Sequence, residues 1–136
     1  MDTMENQDKS KFNDHLRERT IQMAAILYWL LKDKKVSWII RSGVNQIIRS
    51  SSSVAANFRA ATRARSDAAF YAKICIVAEE CDETLFWLDY LIRIKLLEIA
   101  KTKKIYSEGE QLVRLFNAIK SKMKIKMVGK NLRCEI

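Results

Sequence analysis

Not one of the 136 residues is proline, and only Gly43, Gly109 and Gly129 are glycine. Proline ends helices and punctuates the turns of β proteins, and glycine supplies the positive-φ positions of tight turns. A chain nearly without both has few places to turn and is free to run in long helices. Its apolar fraction of 49% supplies a core and is too high for a disordered chain. The length is that of one domain.

Apolar residues recur at three- and four-residue steps along four stretches, as one face of a helix does. The first carries Phe12, Leu16, Thr20, Met23, Leu27 and Leu30. The second carries Ile40, Val44, Ile47, Ser51, Val54, Ala55 and Phe58, with the period running through the serines 50–53. Gly43 inside it points to close helix packing. Ser66 is a suitable N-cap for the third stretch, with Asp67 in its first turn. Phe70, Ile74, Val77, Cys81, Leu85, Leu88 and Ile92 form the stripe there. Lys101–Lys104 reads as the next connection, and Ser107 with Glu110 as a capping box. Leu112, Phe116, Ile119, Met123 and Met127 carry the fourth stripe up to Gly129. The pattern predicts an all-α protein, an antiparallel up-down-up-down four-helix bundle over residues 10–128. Its helices span about 10–32, 37–63, 67–97 and 108–128, between a flexible N-terminus (1–9) and a flexible basic tail (129–136).

The third helix is apolar beyond its main stripe. Ile76, Phe86, Trp87, Tyr90 and Ile94 lie off it and need a neighbouring helix or a second subunit. Phe86, Trp87 and Tyr90 are the candidate oligomer interface.

Residues that carry chemistry are sparse. The one histidine, His15, stands in a polar stretch, and no metalloprotease, hydrolase-elbow, dinucleotide or P-loop pattern occurs. Glu80 and Glu83 have the spacing of a di-iron motif but lack its histidine. With Glu79 and Asp82 they read as a solvated or salt-bridged face. The three cysteines, Cys75, Cys81 and Cys134, are odd in number, form no C-x-x-C and fit a reducing compartment. The start, M-D-T-M-E-N-Q-D, is unlike a signal peptide, and the longest apolar run, Met23–Leu31, is too short to span a bilayer. These features predict a cytoplasmic protein with no membrane partner, no catalytic residues, no metal and no cofactor.

Charge is more informative. The formal net charge is +9, and residues 34–66 hold seven basic residues and no acid. Residues 67–99 are acidic (−4) and residues 100–136 are basic again (+7). At 100° per residue, Arg41, Arg49, Arg59 and Arg63 share one stripe of the second helix, clear of its core face. Arg65 follows, and Lys120, Lys122, Lys124 and Lys126 ring the fourth helix. Two readings stay open: these nine residues contact a polyanion, or they pair with the acidic third segment or a partner. The aromatics sit in apolar runs, so contact with nucleic acid would fall on phosphates.

The stretch Arg49–Leu91 resembles the four-helix-bundle proteins encoded within intervening sequences of bacterial 23S rRNA genes. The resemblance rests on Arg49-Ser50, Ser53-Val54, Ala56-Asn57, Arg65-Ser66, Glu80, Glu83-Thr84 and Trp87-Leu88. It departs at Ala60, where family members usually carry glutamate. It implies a homo-oligomer, a pentameric barrel, and distant kinship with basic accessory proteins that bind nucleic acid and a reverse transcriptase. The function expected is a non-enzymatic, basic homo-oligomer that binds RNA or DNA, accessory to an RNA or reverse-transcriptase complex. The alternative is a structural oligomer or adaptor whose basic residues pair with acids.

Overall fold

The computed structural model describes residues 3–134, with side chains through residue 130. Its helices are α1 (Met4–Leu31), α2 (Arg41–Thr62), α3 (Asp67–Arg93) and α4 (Ile99–Cys134). Each packs on the next in sequence, and α1 meets α4 along a thinner seam. The chain is thus an all-α, up-down four-helix bundle. The stripes read from the sequence form its core: Leu16, Met23 and Leu27, then Ile47, Val54 and Phe58, then Ile74, Val77 and Leu88, then Leu112 and Phe116 are buried. The Phe58 and Phe116 rings meet at 5.5 Å, joining the diagonal helices α2 and α4.

The serine run does continue the helix. Ser50 and Ser51 are buried, and each hydroxyl donates to a carbonyl of its own helix, Ile47 and Ile48, at 3.3 Å. Such back-bonding satisfies a buried hydroxyl without a partner helix. Gly43 is buried where α2 crosses α3. A Cβ there would stand 2.9 Å from Trp87 Cζ3, so only glycine admits the ring.

Helix ends differ from expectation in five places. α1 begins at Met4, because Thr3 caps it by accepting from the Asn6 amide at 3.2 Å; residues 1 and 2 lie outside the described residues. α2 begins at Arg41 rather than 37. The Ile40 amide donates to the Ser37 carbonyl (3.2 Å), a turn that tucks Ile40 towards the core and leaves Trp38 and Ile39 outside. α3 stops at Arg93 rather than 97. The Leu96 amide returns to the Leu91 carbonyl (3.0 Å) and the Lys95 amide to Ile92 (2.9 Å), which is a Schellman motif. Lys95 holds its left-handed position at φ 65°, where glycine is usual.

α4 begins at Ile99, not 108. Lys101–Lys104 lies inside it, with Thr102 and Ile105 buried, and the Thr102 hydroxyl donates to the Glu98 carbonyl (2.8 Å). The Ser107–Glu110 pattern is therefore no cap; it stands on a continuing helix, where an S-x-x-E spacing is also tolerated. Gly109, just after Ser107, is buried, and a Cβ there would stand 3.1 Å from Leu85. Gly129 does not end α4 either. It sits in open space, where glycine costs only about 1 kcal/mol against alanine, and the helix runs on to Cys134. Of the expected flexible tail, residues 135 and 136 lie outside the described residues.

Candidate nucleic-acid interface

The four arginines expected on one stripe of α2 are all exposed, but they are not equivalent. Arg49 turns towards α3. Its Nη2 lies 2.7 Å from Glu83 Oε2, its Nη1 lies 3.2 Å and 3.1 Å from the two oxygens of Glu80, and its Nε donates to Gln46 Oε1 at 2.8 Å. Hydrogen bonds to Glu80 and then Glu83 raise the Arg49 pKa. Burial pushes the Glu83 carboxyl upwards, and the bonds from Arg49 and Trp87 outweigh it, leaving a lowered pKa. Thr84 Oγ1 donates to Ser50 Oγ across the same seam at 2.8 Å. Arg49, Ser50, Glu80, Glu83, Thr84 and Trp87, all among the residues that carry the family resemblance, thus hold α2 to α3, and Arg49 is committed to acids of its own chain.

Arg41, Arg59, Arg63 and Arg65 are exposed, and among the described residues none has an acid within ion-pair distance. Arg59 and Arg63 border an open groove of about 680 Å³ between α1 and α2. Ser52, Ala55 and Ala56 line its α2 side, and Asp14, Arg17, Glu18, Ile21 and Ala24 its α1 side. The groove carries both signs, so it is no simple anion trap.

The antiparallel path of α3 and α4 brings two distant basic segments to one end of the bundle. Lys126 and Lys130 both reach Asp67, the first residue of α3. The bond from Lys130 lowers the Asp67 pKa; desolvation opposes it, and the charge of Lys126 adds to the lowering. Arg63 and Arg65 precede Asp67 by four and two residues, and Lys120, Lys122 and Lys124 stand on the same end of α4. Lys122 and Lys124 are exposed, Lys120 is half-buried, and among the described residues none of the three is ion-paired. Asp67 therefore offsets only part of this charge. At 36 residues α4 is about 54 Å long, and its last turn runs past the start of α3.

The opposite end exposes large apolar side chains among further cations, Lys32, Lys35, Arg41 and Lys95 with them. Trp38 is 80% exposed, Ile39 73% and Trp29 66%, with Lys32 Nζ 5.1 Å from the Trp29 ring centroid. Phe86 and Tyr90 are exposed and stacked at 6.2 Å. Trp87, expected at a subunit contact with them, is half-buried: it covers Gly43, and its Nε1 donates to Glu83 Oε1 at 3.4 Å. The whole chain exposes 9440 Å², against about 7300 Å² for a compact monomer of this mass.

Three features escaped the sequence reading. Trp38 was placed in a helix and stands in a connection. The Asp67 pairing with α4 had no local signal, because the partners are some sixty residues apart. The same holds for Arg19, whose guanidinium pairs with Glu108 and closes the thin α1–α4 seam, with Nε 3.2 Å from Oε2.

Among the described residues no three of the His, Cys, Asp and Glu side chains converge as metal ligands, and no helix is long and apolar enough to cross a membrane. His15 is exposed. Buried Cys81 has its thiol pushed up to about 12 by burial first and the charges of Asp82 and Glu108 next.

Fold and surface together define a basic four-helix bundle with exposed aromatic side chains and, among the described residues, no assembled catalytic group. Residues 16–118 match the family model for the 23S rRNA-intervening sequence protein. The chain belongs to that family. It is also similar to a crystal structure of a protein with unknown function from the S23 ribosomal protein family of Bacteroides thetaiotaomicron. The TM-score is 0.68 at 25% sequence identity, over 80% of this chain and 97% of that one. Among curated proteins none matches.

Proposed function

We propose that this chain is a non-enzymatic, homo-oligomeric helical module that binds nucleic acid through phosphate contacts at the basic end of its bundle. One observation supports the reading: Lys126 and Lys130 of α4 already share Asp67, the acid at the start of α3, while Arg63 and Arg65 just before it and Lys120, Lys122 and Lys124 on the same half of α4 have no acid partner among the described residues. Exposed cations left unpaired suit the phosphates of a polyanion, whose counterions they displace. With Trp29, Trp38, Phe86 and Tyr90 exposed towards the other end of the bundle, the contacts fall on phosphates, and binding is indifferent to sequence. The excess surface and the exposed apolar side chains support self-association, with five copies the number to test.

A second reading has its own observation in support. Arg49 and Lys126 hold acids of the same chain, so part of the positive charge is structural, as in an oligomer that only scaffolds other proteins. Light scattering together with the absorbance ratio at 260 and 280 nm separates the two. An oligomer that carries nucleic acid through purification at low salt supports the first reading. An oligomer free of nucleic acid that binds neither DNA nor RNA at low salt supports the second.

A further inference from the structure

The outward faces of α2 and α3 carry matching patterns. On α3, Ala72, Ile76, Glu79, Glu83, Phe86 and Tyr90 follow one another at alternating four- and three-residue steps, the seven-residue repeat by which a helix lays a seam against another helix. Five of its members fall outside the buried core, and the sixth, Glu83, is half-exposed and taken by Arg49. This is a second seam on α3, distinct from the core stripe through Ile74, Val77, Cys81 and Leu88. On α2, Asn45, Arg49, Ser52, Ala56, Arg59 and Arg63 repeat the same alternation, and all six are exposed.

The two seams are complementary in charge, size and level. The α3 seam is apolar and acidic, and its free acid is Glu79. The α2 seam is small and basic, and its free cation nearest that acid is Arg59. Ser52 and Ala56 let a facing helix approach closely, and the groove beside them keeps Ile21 exposed as an apolar contact. Ser50 and Thr84 mark one level of the bundle through their hydrogen bond. Five residues further along each antiparallel helix, Glu79 stands level with Ala55, next to Ala56 and one turn from Arg59. Copies standing side by side at equal height therefore bring Glu79 of one close to Arg59 of the next.

We infer that the outward seam of α3 in one copy docks on the arginine-bearing seam of α2 in a second copy, giving a head-to-tail lateral contact. The inference rests on the homo-oligomer of the proposed function and names the surface that builds it. Because the two seams differ, the contact is heterologous and continues from copy to copy. Neighbouring helices of a four-helix bundle face outward at an angle to each other, so successive copies turn instead of forming a straight row.

Charge reversal tests the contact. Glu79→Arg and Arg59→Glu each place like charges across it, which opposes docking. Each single variant is expected to keep the wild-type helix content as a monomer while needing at least about tenfold more protein to assemble. The double variant restores opposite charges and regains the wild-type mass. Mixing the two single variants restores assembly, since both contacts between unlike copies pair opposite charges while contacts between like copies do not. Single variants that keep the wild-type mass, or a double variant that stays dissociated, would overturn this surface while leaving an oligomer of another build. A wild-type protein that is monomeric at micromolar concentration overturns both the surface and the oligomer.

Discussion

Thr84 Oγ1 donates to Ser50 Oγ at 2.8 Å, one hydroxyl from each of two helices, both buried, at the middle of the α2–α3 seam. Ser50 in turn donates to the Ile47 carbonyl at 3.3 Å. Removing either hydroxyl costs about 1 kcal/mol, since the remaining one keeps only its own helix to bond. Ser50→Ala and Thr84→Val should each show this loss in urea unfolding. The double variant should lose less than the sum, with a coupling of about 0.5–1 kcal/mol. Strict additivity would mean that the bond contributes nothing.

Arg49 should act on stability first and on any ligand second. The Glu83 carboxyl it holds has a lowered pKa in the fold. A depressed carboxylate contributes stability that is present above its unfolded pKa and lost as pH falls through the folded one. Arg49→Ala should therefore lower the melting temperature near neutral pH more than Arg59→Ala does. The gap should close below the ordinary glutamate range, as Glu83 takes up its proton. Melting curves from pH 7 down to pH 3 for both variants check the sign.

Gly43→Ala should destabilise, although alanine is the better helix former by about 1 kcal/mol. The added methyl meets Trp87 and Ile40 at 2.9 Å, and overpacking of this kind costs about 1–3 kcal/mol. A lowered melting point with a shifted Trp87 fluorescence is the expected outcome, and a raised one would mean that the ring moves aside freely.

Lys95→Gly should stabilise. Lys95 occupies the left-handed position of the α3 Schellman motif, and its Cβ costs about 1 kcal/mol there. The melting temperature should rise by about 3 °C for a chain of this length.

How much of this was legible follows from how far apart the interacting residues lie. Stripes such as Ile47–Val54–Phe58 are written in the local period, so the four helices and most of their core were readable. Helix ends were less so. α3 stops on a lysine where a glycine would have announced the turn, and Ser107–Glu110 mimics a cap while the apolar period of Thr102, Ile105 and Leu112 runs straight past it. The basic residues were visible as a set, but composition does not say which are spent. Arg49 shares its stripe with Arg59 and differs from it only because Glu80 and Glu83 arrive from another helix. The basic end exists only once the chain is folded, since Asp67 and Lys130 are brought together by the bundle.

The most direct measurement of the central claim is the salt dependence of binding to labelled RNA and DNA of mixed sequence. Each phosphate neutralised contributes a slope of about −0.7 to −0.9 in log K against log salt. Lys120, Lys122 and Lys124 replaced together by alanine should weaken binding to both nucleic acids and make the slope shallower by about 2, while the melting curve stays that of the wild type. An unchanged slope, or wild-type protein that binds neither RNA nor DNA at low salt, would contradict the account.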